Sequence, residues 1–288
     1  MTADPDTKHV DSPRPHWRSI LTDLGIQPSK ALGQNFLHDT AIVRRIVDAA
    51  DVGRGDLVVE VGPGLGVMTR ELASRAAEIV AIEIDRRLAN YLRSLELPGT
   101  TVVESDVLTI DLREITGNRP YIVVANLPYS VAAAAIAHIL EGAWRPERLV
   151  VMVQREVAER IAARPPEMSI LSVAVQYFGQ PKILFRIGPG AFVPAPKVES
   201  AVVKIEVAED TPLEPAEREL FFRLVRAGFG QRRKQLMNSI AAGLQLEKPV
   251  VKEALSAAGI DPRRRPQTLD LDDWLRLFTK LPRNAFDD

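Results

Sequence analysis

Apolar residues in this chain follow two rhythms, and the change from one to the other divides it. In the first part, short continuous runs recur: Leu57-Val58-Val59-Glu60-Val61, Ile79-Val80-Ala81-Ile82, Thr101-Val102-Val103 and Tyr121-Ile122-Val123-Val124-Ala125. Runs of this kind are strands buried on both faces, the mark of a parallel sheet. Helical stretches lie between them, beginning with an amphipathic one from Trp17 to Leu24, and strands and helices alternate as far as Val207. Glu209-Asp210-Thr211-Pro212-Leu213-Glu214-Pro215 then reads as an interdomain linker. Beyond it every periodic segment is helical: 216–227, 232–242, 249–257 and 271–278. The pattern predicts an α/β chain in which residues 17–208 form a mostly parallel, Rossmann-like sheet wrapped by helices, and residues 214–288 form a small all-helical domain. Residues 1–16, polar and proline-containing, read as a disordered tail.

The ends of those four strands carry the chemistry. The first empties into Gly62-Pro63-Gly64-Leu65-Gly66, where glycines allow a ligand to approach the backbone closely and a following helix presents free N–H groups. The spacing is GxGxG with Glu60 ahead of it, as in S-adenosylmethionine sites, and not the GxGxxG of dinucleotide sites. The second strand ends in Glu83 and Asp85. Glu83 is the better placed to accept both hydroxyls of a ribose. The third is followed by Asp106, a candidate acceptor for the cofactor's adenine amino group. Each acid alone could equally be a solvated loop charge or a helix cap. It is their succession at consecutive strand ends that points to a ligand, because open α/β sheets bind outside the carboxyl ends of their strands.

The fourth strand delivers Asn126-Leu127-Pro128-Tyr129. Asn126 offers a carbonyl acceptor, the proline-stiffened turn can aim the Leu127 carbonyl, and Tyr129 provides a flat face for a base that has left its helix. The set suits methylation of an exocyclic amine on a nucleobase. As a bare tetrapeptide it is also an ordinary strand-to-loop turn.

These motifs, together with Lys30-Ala31-Leu32-Gly33-Gln34-Asn35-Phe36-Leu37, Phe192-Val193-Pro194-Ala195-Pro196-Lys197-Val198-Glu199-Ser200 and Gln231-Arg232-Arg233-Lys234-Gln235-Leu236-Met237-Asn238-Ser239, resemble the KsgA-type ribosomal RNA small-subunit adenine dimethyltransferases from about Trp17 to about Leu281. The resemblance implies a methyltransferase using S-adenosylmethionine on the 6-amino groups of two adjacent adenosines in the 3′-terminal hairpin of 16S rRNA, within the immature 30S subunit. It implies that Asn35, Leu37, Gly62, Gly64, Glu83, Asp106 and Asn126 contact the cofactor, that Asn126 also faces the target amine, and that Tyr129 and Phe192 flank the flipped adenine. Arg232, Arg233 and Lys234, with Arg223 and Arg226 on the preceding helix, are the expected RNA contacts of a monomer. Two segments depart from the family pattern, Ser130-Val131-Ala132-Ala133 and Pro165-Pro166-Glu167-Met168, and both are expected to border the site.

Composition narrows the alternatives. The net charge of −1 means that affinity for RNA must come from local clusters. Arg263-Arg264-Arg265, bracketed by prolines, reads instead as a solvated loop. The chain has no cysteine, which excludes methylation of pyrimidine carbon 5 through a thiolate adduct, whereas amine methylation needs no covalent intermediate. The four histidines lack ligand spacing, so no metal is expected, and His138 reads as a partnered, half-buried residue. No apolar run is long enough to span a membrane and the first residues are too polar for a signal peptide, so a cytoplasmic protein is expected. DNA adenine and protein glutamine methyltransferases would share the Asn-x-Pro-Tyr logic but leave 192–200 and 231–239 unexplained. The 23S rRNA methyltransferases of macrolide resistance share the first domain's motifs. An assembly factor whose binding outweighs its catalysis would use the same surfaces.

Overall fold

The computed structural model describes residues 17–26, 34–75, 78–231 and 234–286. The expected tail at 1–16, the motif residues Lys30 to Gly33, and Arg232 with Arg233 lie outside the described residues.

In chain order, α1 (Trp17–Asp23) leads through β1 (Phe36–Leu37) to α2 (Thr40–Ala50). Then β2 (Leu57–Val61), α3 (Val67–Ser74), β3 (Glu78–Glu83), α4 (Arg86–Ser94), β4 (Thr100–Glu104), α5 (Leu112–Thr116), β5 (Ile122–Asn126), α6 (Ala132–Glu141), β6 (Arg148–Gln154) and α7 (Arg155–Ile161) alternate strictly. Next come α8 (Ile170–Phe178), β7 (Gly179–Ile187), β8 (Phe192–Val193) and β9 (Ser200–Val207), and four helices finish the chain: α9 (Pro215–Phe229), α10 (Leu236–Gly243), α11 (Lys248–Ala257) and α12 (Leu271–Lys280).

The sheet runs β4-β3-β2-β5-β6-β9-β7. Its first five strands are parallel, and β9 and β7 add an antiparallel edge. From β2 the chain works outward to β3 and β4, then returns to lay β5 on the other side of β2, so the direction of winding reverses between β2 and β5. Such a reversal opens a crevice at the carboxyl ends of the two strands.

Burial follows the alternation of strand side chains. Val59 and Val61 of β2, with Val123 and Ala125 of β5, face one buried cluster, and Val58 with Ile122 and Val124 face the other. The first cluster continues past the sheet and its helices into Phe221, Leu236, Leu255 and Trp274 of the C-terminal helices. Aromatic rings bridge the two parts: Tyr177 on α8 stacks on Phe221 of α9 with centroids 5.4 Å apart. The segment expected to be a linker is itself tied down, its Leu213 carbonyl accepting a hydrogen bond from the Tyr177 hydroxyl.

Two expectations need correction. The helix anticipated from Arg232 begins at Leu236, because Gln235 is extended (φ −64°, ψ 148°) and the Leu236 N–H is drawn to the Arg264 carbonyl across the fold. Pro165–Met168 does not border the crevice; Met168 is buried and donates its N–H to the Gln267 carbonyl, so this segment is a seam between α8 and the C-terminal helices.

Candidate functional site

A cavity of about 230 Å³ opens at the β2/β5 reversal, walled by the glycine loop, the tips of β3, β4 and β5, and the stretch around β1. Gly62, at φ +70°, passes so close to β5 that a Cβ there would lie 3.0 Å from the Asn126 carbonyl oxygen. Its N–H donates to the Ile82 carbonyl at 3.0 Å, which pins the loop across the sheet. A glycine is needed here both for the left-handed conformation and for the close approach.

Glu83 holds the loop from the other side. Its carboxylate accepts the Gly64 N–H at 3.1 Å and the Asp85 N–H at 3.0 Å, and the side chain is only 5% exposed. Burial pushes its pKa up, and the backbone donors pull it partly back. Two acceptor positions on the carboxylate remain for a ligand. Asp85 is occupied elsewhere: it caps α4 through the Arg87 N–H and pairs with the Arg87 guanidinium. Asp106 lines the cavity with one oxygen accepting the Leu108 N–H at 2.9 Å.

At the tip of β5, the Asn126 side-chain amide donates to the Asn35 carbonyl at 3.4 Å. That contact turns the donor end of the amide away and leaves its carbonyl oxygen for an incoming N–H. The turn behind it is fixed by the Leu127 N–H, which bonds the Met152 carbonyl at 3.2 Å, and by the Val131 N–H, which bonds the Pro128 carbonyl. Tyr129, half-buried, lines the cavity, and its hydroxyl lies 2.7 Å from the Ser200 Oγ. Burial raises the Tyr129 pKa, so the ring stays a neutral phenol.

Glu60 lies beneath the loop, fully buried, and neither of its oxygens has a hydrogen-bond partner. Desolvation drives its pKa up to about 8, helped by the neighbouring charge of Glu83 and opposed by the nearby Thr69 hydroxyl. Among the described residues, the wall has carboxylates at Glu60, Glu83 and Asp106 and no lysine, arginine or histidine. A buried acid that burial holds largely protonated, a glycine cradle, and the carboxylates of Glu83 and Asp106 with no cationic side chain in the wall fit a cationic nucleoside such as S-adenosylmethionine.

The expected residues Asn35, Leu37, Gly62, Gly64, Glu83, Asp106, Asn126, Leu127, Pro128 and Tyr129 thus meet in one wall, and Ser130 and Val131 of the first atypical segment join them. Phe192 does not. It is 3% exposed, bridges to Leu37 across β8 and β1, and lies in the buried cluster behind that residue, so its ring is covered and does not flank the cavity. Wall residues to which the sequence reading gave no role include Ile84 and Ser105. Ile84, 54% exposed between Glu83 and Asp85, gives the cavity an apolar face, and Ser105 adds a hydroxyl. An apolar residue between two acids at a strand tip was the available signal for Ile84.

Away from this crevice, Arg223 and Arg226 border a second hollow of about 410 Å³ between α9 and α10, with Gln231 and Gly243. The Arg223 guanidinium donates to the Phe286 carbonyl at 2.9 Å, and Arg226 is exposed, as is Lys234. Arg263 and Arg264 are engaged in ion pairs with Asp261 and Asp273. His138 pairs its Nε2 with the Ile110 carbonyl at 3.1 Å. No cluster of metal-binding side chains and no helix long and apolar enough to cross a membrane occur among the described residues.

A protein-family comparison matches residues 26–282 to ribosomal RNA adenine dimethylase. Ribosomal RNA small subunit methyltransferase A of Dehalococcoides mccartyi strain BAV1 is 43% identical over 263 residues, 90% of each chain. The protein of that name from Alkaliphilus oremlandii is 43% identical over 275 residues, 92% of this chain and 95% of its own. Among solved structures, the 23S rRNA methyltransferase ErmE superposes with a TM-score of 0.69 at 29% identity, covering 86% of this chain and 99% of its own. A dimethyladenosine transferase from Plasmodium falciparum shares the fold, with a TM-score of 0.70 at 24% identity over 84% of this chain and 95% of its own.

Proposed function

The chain belongs to the ribosomal RNA adenine dimethylase family, and from that premise we propose how its cavity works and on what it acts. It is an S-adenosylmethionine-dependent methyltransferase that dimethylates adenine in small-subunit ribosomal RNA. Its targets, in this reading, are the 6-amino groups of two adjacent adenosines in the 3′-terminal hairpin of 16S rRNA, reached in the immature 30S subunit by a cytoplasmic monomer without a metal. Identity favours this substrate over 23S rRNA, at 43% to the small-subunit enzymes against 29% to ErmE.

S-Adenosylmethionine, when bound, supplies a methyl group on a cationic sulfonium. Glu83 accepts the ribose hydroxyls with the lone pairs left by Gly64 and Asp85, Asp106 accepts the adenine amino group, and Ile84 covers the base. Gly62 and Gly64 give room for the amino-acid end above Glu60. On the substrate side, an adenine amine is a poor nucleophile because its lone pair is delocalised into the ring. The Asn126 Oδ1 and the Leu127 carbonyl accept its two protons, favour a pyramidal nitrogen and aim its lone pair, while Tyr129 stacks on the ring. No strong base is required, since the nitrogen becomes acidic once alkylated and its proton can leave to water. After one transfer a single N–H remains for one acceptor. Residues 17–208 carry this chemistry, and 214–288 hold the RNA through Arg223, Arg226 and the Arg232-Arg233-Lys234 cluster.

One observation carries the reading: Asn126 and the glycine loop are locked together at the sheet reversal, through Gly62 against the Asn126 carbonyl and Glu83 on the Gly64 N–H. Labelled cofactor offered with immature 30S subunits, naked 16S rRNA and naked 23S rRNA tests it. Dimethyladenosine confined to the 30S arm is expected. Equal labelling of 23S rRNA would shift the assignment to the macrolide-resistance type.

A further inference from the structure

The motif at 192–200 ends in a serine to which the reading above gives no task. Ser200 opens β9, where it is fully buried and clamped from both sides, opposite Gln154 of β6 and Ile187 of β7. Such a position is rigid. From it the Oγ reaches the phenolic oxygen of Tyr129, 71 residues earlier in the chain, at 2.7 Å.

Tyr129 needs an anchor. The backbone of its turn is held by Leu127 and Val131, but those bonds leave the ring free to swing about its side-chain torsions. The hydroxyl sits at the far end of the ring, where one hydrogen bond to a fixed partner restricts both torsions at once. A buried serine hydroxyl must itself find a partner, and the sheet could have met that need with a backbone group. Here it is met by Tyr129, an aromatic side chain in the cavity wall three residues after Asn126.

We infer that Ser200 is a positioning residue for methyl transfer: it fixes the plane of Tyr129 before the base arrives, so that the flipped adenine meets a preformed stacking plate. The inference rests on the assignment of Tyr129 as the stacking ring. Stacking on an aromatic side chain discriminates sharply by orientation, and a ring ordered in advance spares the complex the loss of its rotamer freedom.

The hydrogen bond can be removed from either end, by Tyr129→Phe at the cavity or Ser200→Ala in the strand. Each single variant and the double variant are expected to lower single-turnover transfer by a common factor of roughly ten, since orientation of one stacked base is at stake. S-Adenosylmethionine affinity should stay at the parental value in all three. A small-subunit RNA substrate with 2-aminopurine at the target position reports stacking directly: its fluorescence should be quenched on the parent enzyme and less so on the variants. A serine that serves only the fold would lower the melting temperature of Ser200→Ala and leave Tyr129→Phe at the parental rate and quenching, which overturns the inference. Losses that multiply in the double variant would overturn it too, because the two groups would then act separately. Should Ser200→Ala not fold, Tyr129→Phe, altered only at the cavity, still decides. A parent enzyme that labels no rRNA adenine would instead refute the function on which the inference stands.

Discussion

Asn126→Ala is expected to keep cofactor affinity within about tenfold and to lower methyl transfer by roughly two orders of magnitude or more, the loss typical of one aligned hydrogen bond at a reacting centre. Single-turnover rates within a few-fold of the parent would remove Asn126 from its role. The two acids flanking Ile84 should part company under the same treatment. Glu83→Ala is expected to weaken S-adenosylmethionine binding by about 1.5 to 3 kcal/mol, whereas Asp85→Ala should cost about 1 kcal/mol of stability as a lost helix cap and leave calorimetric affinity intact. Glu60 gives a pH dependence. Its pKa stands near 8 in the fold against an ordinary 4.5, so the stability it allows is fully present below the lower value and is lost as pH rises toward 8. The unliganded enzyme should therefore soften between about pH 5 and 8, and Glu60→Gln should flatten that decline; parallel melting profiles would refute it. At this scale the sequence showed which residues reach the cavity wall where they sit on a strand tip, as with Glu83, Asp106 and Asn126. It did not show a contact made with a partner far along the chain, as between Ser200 and Tyr129, or that a ring is covered, as with Phe192.

Among the elements, the four strands expected from continuous apolar runs are all present and parallel, β2, β3 and β5 almost wholly buried and β4 part-exposed at the sheet edge, and β6 joins them as a fifth that the reading did not name. The two-residue β1 and β8 left no such trace. They exist only because 36–37 and 192–193 meet in space, and that meeting covers Phe192. The period at 232–242 placed the start of α10 too early, because the tertiary bond from the Leu236 N–H to the Arg264 carbonyl delays it. Where α9 and α10 cross, Gly243 leaves no slack: a Cβ would sit 2.6 Å from the Ala227 Cβ and 2.7 Å from its Cα. Gly243→Ala must push the helices apart, at an expected cost of about 1 to 3 kcal/mol in urea unfolding. Unchanged stability would mean that this crossing is looser than its geometry.

For the molecule as a whole, a net charge of −1 gives no global attraction to RNA, so affinity has to be concentrated. Replacing Arg226 and Lys234 by alanine should flatten the salt dependence of subunit binding by up to roughly one logarithmic unit for each phosphate no longer neutralised. Transfer from saturating enzyme should be spared, and a full salt slope would mark both as solvated surface.

The buried cluster that passes from the sheet through Tyr177 and Phe221 into Trp274 bears on how such enzymes can be recombined. A chimera that joins this chain's first 208 residues to the helices of a relative inherits half of a fitted aromatic seam. Unless Tyr177, Phe178 and the Met168 bond to Gln267 travel with their partners, the graft meets mismatched rings and an unpaired backbone donor. Exchange of the C-terminal helices between family members is thus a matter of moving a seam, and α8 belongs on the helices' side of the cut.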